Sequence, residues 1–141
     1  MGWNYMEQHK EVGTRKDLAN YRIDTARKDL NSAKILLDAG DYRGANNRAY
    51  YAIYHAISSV HAIDGVAYKR HKDALSNFNK NYIRTEIFAK NFGRKIAEAE
   101  EIRHASDYDD FYIATKSETV EMIDNAKQLI EEIEKYLCAL T

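Results

Sequence analysis

No proline interrupts the 141 residues of this chain. A proline ring removes a backbone donor and clashes with the preceding turn, so a chain without one can run long helices anywhere. Only 6 glycines compete as breakers. What remains to be read is where the helices start, stop and face.

From Asp17 a helical period is plain. Ala19, Ile23, Ala26, Leu30, Ala33 and Leu37 are spaced 4, 3, 4, 3 and 4, which makes one apolar stripe. Gly40 is placed to end this helix as its C′ residue, and Asp41 to cap the next. A junction this short makes the two helices antiparallel neighbours. The second helix is expected over residues 42–63. One of its stripes is Ala45, Ala49, Ala52 and Ala56; another is Tyr50, Ile53, Ile57 and Val60. Apolar residues on so much of the circumference mark a mostly buried central helix, which Asp64-Gly65 stops.

A short helix is expected near 70–80, in a basic, Asn-rich stretch. A longer one is expected over 85–105, burying Phe88, Phe92, Ile96, Ala99 and Ile102. Thr115 followed by Glu118 has the capping-box pattern. The last helix then runs over 116–139, with Val120, Ile123, Ile130, Ile133, Leu137 and Leu140 inward. No segment alternates like a strand. Residues 1–16 show no clean period and are expected to be a flexible leader; residues 17–141 are expected to form a single domain. The fold class that follows is all-α, an up-down antiparallel helical bundle of four main helices plus one short helix.

Charge and cysteine content narrow the function classes. Lys and Arg total 21 against 22 Asp and Glu, so a strongly basic nucleic-acid coat is excluded, though a local basic patch is not. One cysteine excludes an internal disulfide framework and multi-cysteine zinc sites. No run of about 18 apolar residues offers a membrane span, and the N-terminal segment has no apolar signal region. The expected location is the cytoplasm. Tyrosine is abundant, 11 against 4 Phe and 1 Trp, which suits aromatic cores with polar tips reaching pockets or an interface.

Two constellations could carry chemistry. On the second helix Arg48, Tyr51, His55 and Ser58 are spaced 3, 4 and 3, and so share one polar stripe on an apolar helix. An unpaired buried Arg is expensive, so Arg48 must meet a carboxylate, water or a ligand. Both a polar network between helices and one wall of an anion or nucleotide pocket meet that requirement. The second constellation is Arg103-His104 followed by Asp107-Tyr108-Asp109-Asp110. An Asp four residues after an Arg can pair with it on one helix face. The acidic trio could hold a divalent ion, but a solvated turn is the simpler reading. The basic run at 69–72 reads as a solvated loop that could touch phosphate. His9, His61 and His71 have no partner at metal-ligand spacing, and no metal site or cofactor is expected. Neither a phosphate loop nor a dinucleotide fingerprint is present.

The stretch Ala33–Ala56, AKILLDAGDYRGANNRAYYAIYHA, resembles the small HEPN-domain proteins, in the branch with an A-x-x-R-A-Y-Y-A-x-[FY]-H-A helix. RHASDYDDF, Arg103–Phe111, is similar to that branch's R-x-x-x-D-Y turn. The resemblance spans about residues 20–138. It implies a helical bundle that dimerises and that associates with nucleotides, RNA or a partner nucleotidyltransferase, often in toxin–antitoxin or defence systems. Arg48, Tyr51, His55, Arg103, Asp107 and Tyr108 are the ligand-binding candidates it implies. Many members of the wider superfamily are metal-independent endoribonucleases with an R-x(4–6)-H motif near the fourth helix. Here positions 108–110 are Tyr, Asp and Asp where that His would fall, and His104 directly follows Arg103. Arg48 to His55 has R-x6-H spacing but lies on the second helix. The expectation is therefore a binding module, with an endoribonuclease as the alternative. In the alternative the catalytic candidates are His55 as general base and Arg48 or Arg103 on the phosphorane charge.

Overall fold

The computed structural model of the protein describes the backbone of residues 3–140 and side chains from Thr14 to Leu140. Helix α1 spans Trp3–Asp38, α2 Tyr42–Ile63, α3 His71–Phe78, α4 Asn91–Tyr108 and α5 Lys116–Ala139. A π-helical turn, Asn79–Ile83, extends α3. The described residues form no strand. The architecture is the expected all-α antiparallel bundle: α1, α2, α4 and α5 are its main helices and α3 is the short one. Where a leader is expected, the backbone from Trp3 on is already helical and continuous with α1. Residues 1 and 2, and the side chains through Gly13, lie outside the described residues.

The α1–α2 junction is built as its sequence implies. Gly40 adopts φ +81°, the left-handed conformation that glycine takes without a Cβ penalty. Its N–H donates to the Leu37 carbonyl, and Asp41 N–H donates to that of Leu36, which closes the end of α1. Asp41 Oδ1 then accepts from Gly44 N–H at 2.9 Å and caps α2. Gly65 ends α2 in the same way, at φ +78°.

Helix α2 is the centre of the molecule and packs against α1, α3, α4 and α5. Its alanine stripe lets neighbouring backbones approach, and Ala45, Ala49, Ala52 and Ala56 are wholly buried. Tyr50, Ile53, Ile57 and Val60 are buried beside them, as is the α1 stripe from Ala19 to Ala33. Leu37 is half-buried against the core.

Two expectations are corrected. The fourth helix begins at Asn91, not near residue 85. The π turn closes with Arg84 N–H on the Asn79 carbonyl, and Glu86 takes φ 63°, so the chain reverses before α4 can start. Phe88 stays buried within that turn, stacked on Phe78 with ring centroids 5.5 Å apart. Gly93 faces this turn; an added Cβ would lie 3.0 Å from Asn79 Oδ1. In α5, Val120 and Leu140 point to solvent. Thr119 is buried instead, because its hydroxyl donates to the Thr115 carbonyl at 3.0 Å and needs no partner from the core. The inward face therefore runs Thr119, Met122, Ile123, Ala126, Leu129, Ile130, Ile133 and Leu137. Thr115 caps this helix through Glu118 N–H, as expected.

Gly40→Ala isolates the conformational term, since nothing lies within 4 Å of the added Cβ. It should lower unfolding free energy by about 1–2 kcal/mol, read from the urea midpoint at unchanged slope.

Candidate functional site

The polar stripe of α2 meets a carboxylate from α1. Asp29 stands three residues after Ala26 and four before Ala33, at the edge of the α1 apolar stripe, and is 8% exposed. Its Oδ2 lies 2.7 Å from His55 Nδ1, and its Oδ1 accepts from Arg48 Nη1 at 3.3 Å. One carboxylate thus satisfies the requirement that Arg48 poses. Both partners are half-buried and flank it.

From Arg48 the network continues to α4. Arg48 Nε and Nη2 donate to Asn47 Oδ1 at 3.0 and 2.8 Å. Asn47 Nδ2 donates to Asp107 Oδ2 at 3.0 Å, and Asp107 pairs with Arg103 Nη1 at 3.6 Å. The two constellations separated in sequence are therefore one structure, running from His55 through Asp29, Arg48, Asn47 and Asp107 to Arg103.

Aromatic rings line this chain of charges. The Arg48 guanidinium lies 5.1 Å from the Tyr51 ring centroid; that of Arg103 lies 4.6 Å from Tyr50 and 6.0 Å from Tyr51. Two cations thus attend one tyrosine ring, an attraction worth about 0.5–2 kcal/mol for a good pair. His71 stacks on Tyr54 at 3.9 Å between centroids and reaches the Tyr50 hydroxyl at 3.4 Å. Burial, with help from the Arg103 charge, pushes the His71 pKa down. Burial also raises the Tyr50 hydroxyl to about 12, which keeps it a neutral donor. Arg103 Nε is buried without a hydrogen-bond partner.

Several candidates sit elsewhere than a single pocket would have them. Tyr108 is exposed and packs on His104 at 5.0 Å, away from the Arg103 cluster. Asp109 caps its own turn, accepting from Phe111 N–H at 3.0 Å. Among the described residues no group of three His, Cys, Asp or Glu is arranged to hold a metal ion.

Sequence reasoning passed over five participants: Asp29, Arg43, Asn47, His61 and His71. A carboxylate beside an apolar stripe was the available signal for Asp29. Arg43 had none, because its targets are backbone: it donates to the carbonyls of Ser106 and Asp109 at 2.9 Å, and to that of Tyr112. This clamp fixes the α4–α5 connection. His61, three residues beyond Ser58, is 3% exposed. Burial drives its pKa down to about 4. His9 lies outside the described side chains.

The network yields two predictions. Asp29→Ala strands two donors, so it should lower stability by about 1–3 kcal/mol in denaturant melts; Asp29→Asn, which keeps an acceptor, should lose less. The His61 prediction concerns pH. The unfolded chain takes up a proton near pH 6.5 that the folded chain refuses until about pH 4. Stability should therefore fall as pH drops through that window and be unaffected by this group above it. His61→Phe should flatten this part of the stability–pH curve relative to the native protein.

Comparison with known proteins agrees with this architecture. A "UPF0332 protein" of Thermotoga maritima is 26% identical over 126 residues, covering 89% of this chain and 96% of the relative. The Methanocaldococcus jannaschii protein named "Putative toxin MJ0605" is 29% identical over 115 residues, covering 82% of this chain and 85% of its own. A second protein of that organism, also named as a toxin of this kind, is 25% identical over 115 residues, covering 82% of this chain and 78% of its own. No described helix is long and apolar enough to cross a membrane. Residues 19–136, which hold both arginine constellations and all the elements from α2 to α4, match the HEPN domain, and the chain belongs to that family.

Proposed function

We propose that the protein is a nucleotide- and RNA-binding module of the toxin type, working as a homodimer beside a nucleotidyltransferase partner. The observation that carries the binding reading is the placement of Arg48 and Arg103 about Tyr51, next to the His71–Tyr54 stack. Guanidinium groups recognise phosphate and aromatic faces stack bases, so this combination suits a phosphate-linked base. The names of the archaeal relatives support the toxin setting. The nucleotidyltransferase partner rests on the family resemblance.

The homodimer is supported by the α4–α5 connection. There Phe111 is 94% and Ile113 81% exposed, with Tyr108 nearby. Arg43 holds the backbone of that segment, so these apolar side chains are presented from a fixed frame. Exposed aromatic and aliphatic groups on a fixed frame suit an interface core.

One observation favours the endoribonuclease reading as a second possibility. Asp29 holds His55 by Nδ1, which orients the ring and turns Nε2 to the opposite side, where a general base would accept a proton. The binding reading takes precedence because the family's R-x(4–6)-H motif is broken after Arg103.

A fluorescent single-stranded RNA separates these readings. The native protein should bind it with an affinity that falls as salt rises, and without cutting it in chelator. Arg48→Ala and Arg103→Ala should each weaken binding about tenfold, the loss of one charge-assisted contact. Absence of binding at tens of micromolar protein would remove the binding reading. Cleavage in chelator that disappears in folded His55→Ala would install the endoribonuclease in its place.

A further inference from the structure

The ring stacked on Tyr54 belongs to the protein itself. His71 lies 3.9 Å from Tyr54 between centroids, with 26° between the planes. Its centroid stands 6.2 Å from that of Tyr50 and 5.8 Å from that of Tyr51. Tyr51, Tyr54 and His71 are all half-buried, so solvent reaches this cluster. Burial, then the charge of Arg103, hold the His71 pKa below the ordinary value, and at pH 7 the ring is neutral, as a nucleobase is. A neutral planar ring lying flat on a tyrosine is the way a base sits on a binding platform. Here a side chain fills that place, beside the two arginines.

The segment that carries His71 is lightly held. Residues 64–70 are exposed apart from Tyr68, and residues 66–70 form no helix or strand. Arg70, the N-cap of α3, makes no side-chain bond to the open N–H groups of the first turn; it pairs with Asp73 Oδ2 at 3.0 Å instead. The apolar anchors of α3 lie further on, at Ala74, Leu75 and Phe78, which are buried. The first residue of α3 is tied to α2 through its ring, by the stack on Tyr54 and a long hydrogen bond to the Tyr50 hydroxyl, 3.4 Å. Open space flanks this turn on both sides. A recess of about 340 Å³ beside His55 and His61 is bordered by Tyr54, Tyr68 and Ala74. A groove of about 550 Å³ between α3 and α4 is bordered by Lys72, Leu75 and Ile96.

We propose that His71 is a built-in placeholder: it occupies the Tyr54 face that an incoming base takes, and the first turn of α3 swings aside with it on binding. The inference concerns the regulation of the nucleotide site above and rests on that reading. A base gains the stack only after His71 has lost it, so the free protein is held in a closed, weaker-binding state. Its apparent affinity is the intrinsic one reduced by the open fraction. Arg48 and Arg103 are paired with Asp29 and Asp107, on α1 and α4, so the phosphate contacts do not depend on α3. The stacking face does.

The test compares the native protein with His71→Ala, each titrated with a single-stranded RNA hexamer, AMP and inorganic phosphate. His71→Ala should bind the hexamer, AMP or both about tenfold more tightly than the native protein, since the face is freed in advance. A gain for the hexamer alone identifies a strand as the source of the base, and a gain for AMP alone a free nucleotide. Adding Tyr54→Ala to His71→Ala should abolish the gain. NMR of the native protein labelled at histidine gives a second measure: the His71 ring protons, shielded by Tyr54, should shift to unstacked positions as the hexamer or AMP saturates, and stay in place under phosphate. Should His71→Ala fail to fold, these native spectra decide. Native binding that leaves His71 unmoved, or a folded His71→Ala that binds no more tightly, would overturn the placeholder and leave the binding reading intact. Displacement of His71 by phosphate alone would also overturn it. No binding of the hexamer or AMP by either protein would overturn both.

Discussion

Asp29 is the constraint on which the rest of the site depends. A carboxylate is costly to remove from water, and this one is taken almost fully out of it. It is tolerated because Arg48 and His55, seven residues apart on α2, converge on its two oxygens. That convergence requires one register between α1 and α2: sliding either helix by a turn would leave three polar groups unmatched. The apolar stripes hold the helices together without choosing among neighbouring registers as sharply, since alanine faces are alike from turn to turn. A buried network that is fully matched only once can make that choice.

The same network couples the two signature segments. Asn47 is the joint, accepting from Arg48 and donating to Asp107, so that α4 is located by polar contacts as well as by packing. Arg103 is then laid across Tyr50 and Tyr51, and His71 is brought in from α3 to complete an aromatic and cationic surface. Arg43 performs the equivalent service for the next connection, binding the Ser106 carbonyl in the last turn of α4 and the Asp109 carbonyl that follows it. Three arginines on two helices thus have distinct physical tasks: Arg48 neutralises a buried acid, Arg103 covers aromatic rings, and Arg43 pins a loop.

Much of this architecture was legible in the chain. The α1 and α2 stripes, the Gly40–Asp41 junction and the Thr115 cap rest on local rules of period and backbone conformation, and each is built as read. The α4 start was not legible, because the apolar spacing of Phe88 and Phe92 fits a helix, and only the π turn and the left-handed Glu86 ahead of Phe88 delay that helix to Asn91. The phase of α5 was misread at Val120 because Thr119 looks polar, and it can be buried only by bonding its own backbone. His71 looked like part of a solvated basic run until α3 carried it onto Tyr54.

By itself, then, the sequence determined the helices, their capped ends, the buried face of most of them and the need of Arg48 for a partner. Those follow from contacts within four residues or from periodicity along one helix. The tertiary structure alone decided that this partner is the Asp29 carboxylate, that the segments around Arg48 and Arg103 form one network, and that a recess opens beside His55 and His61. These pairings join residues on different helices. No local rule reaches across such a gap, and only the packing of the bundle brings the partners together.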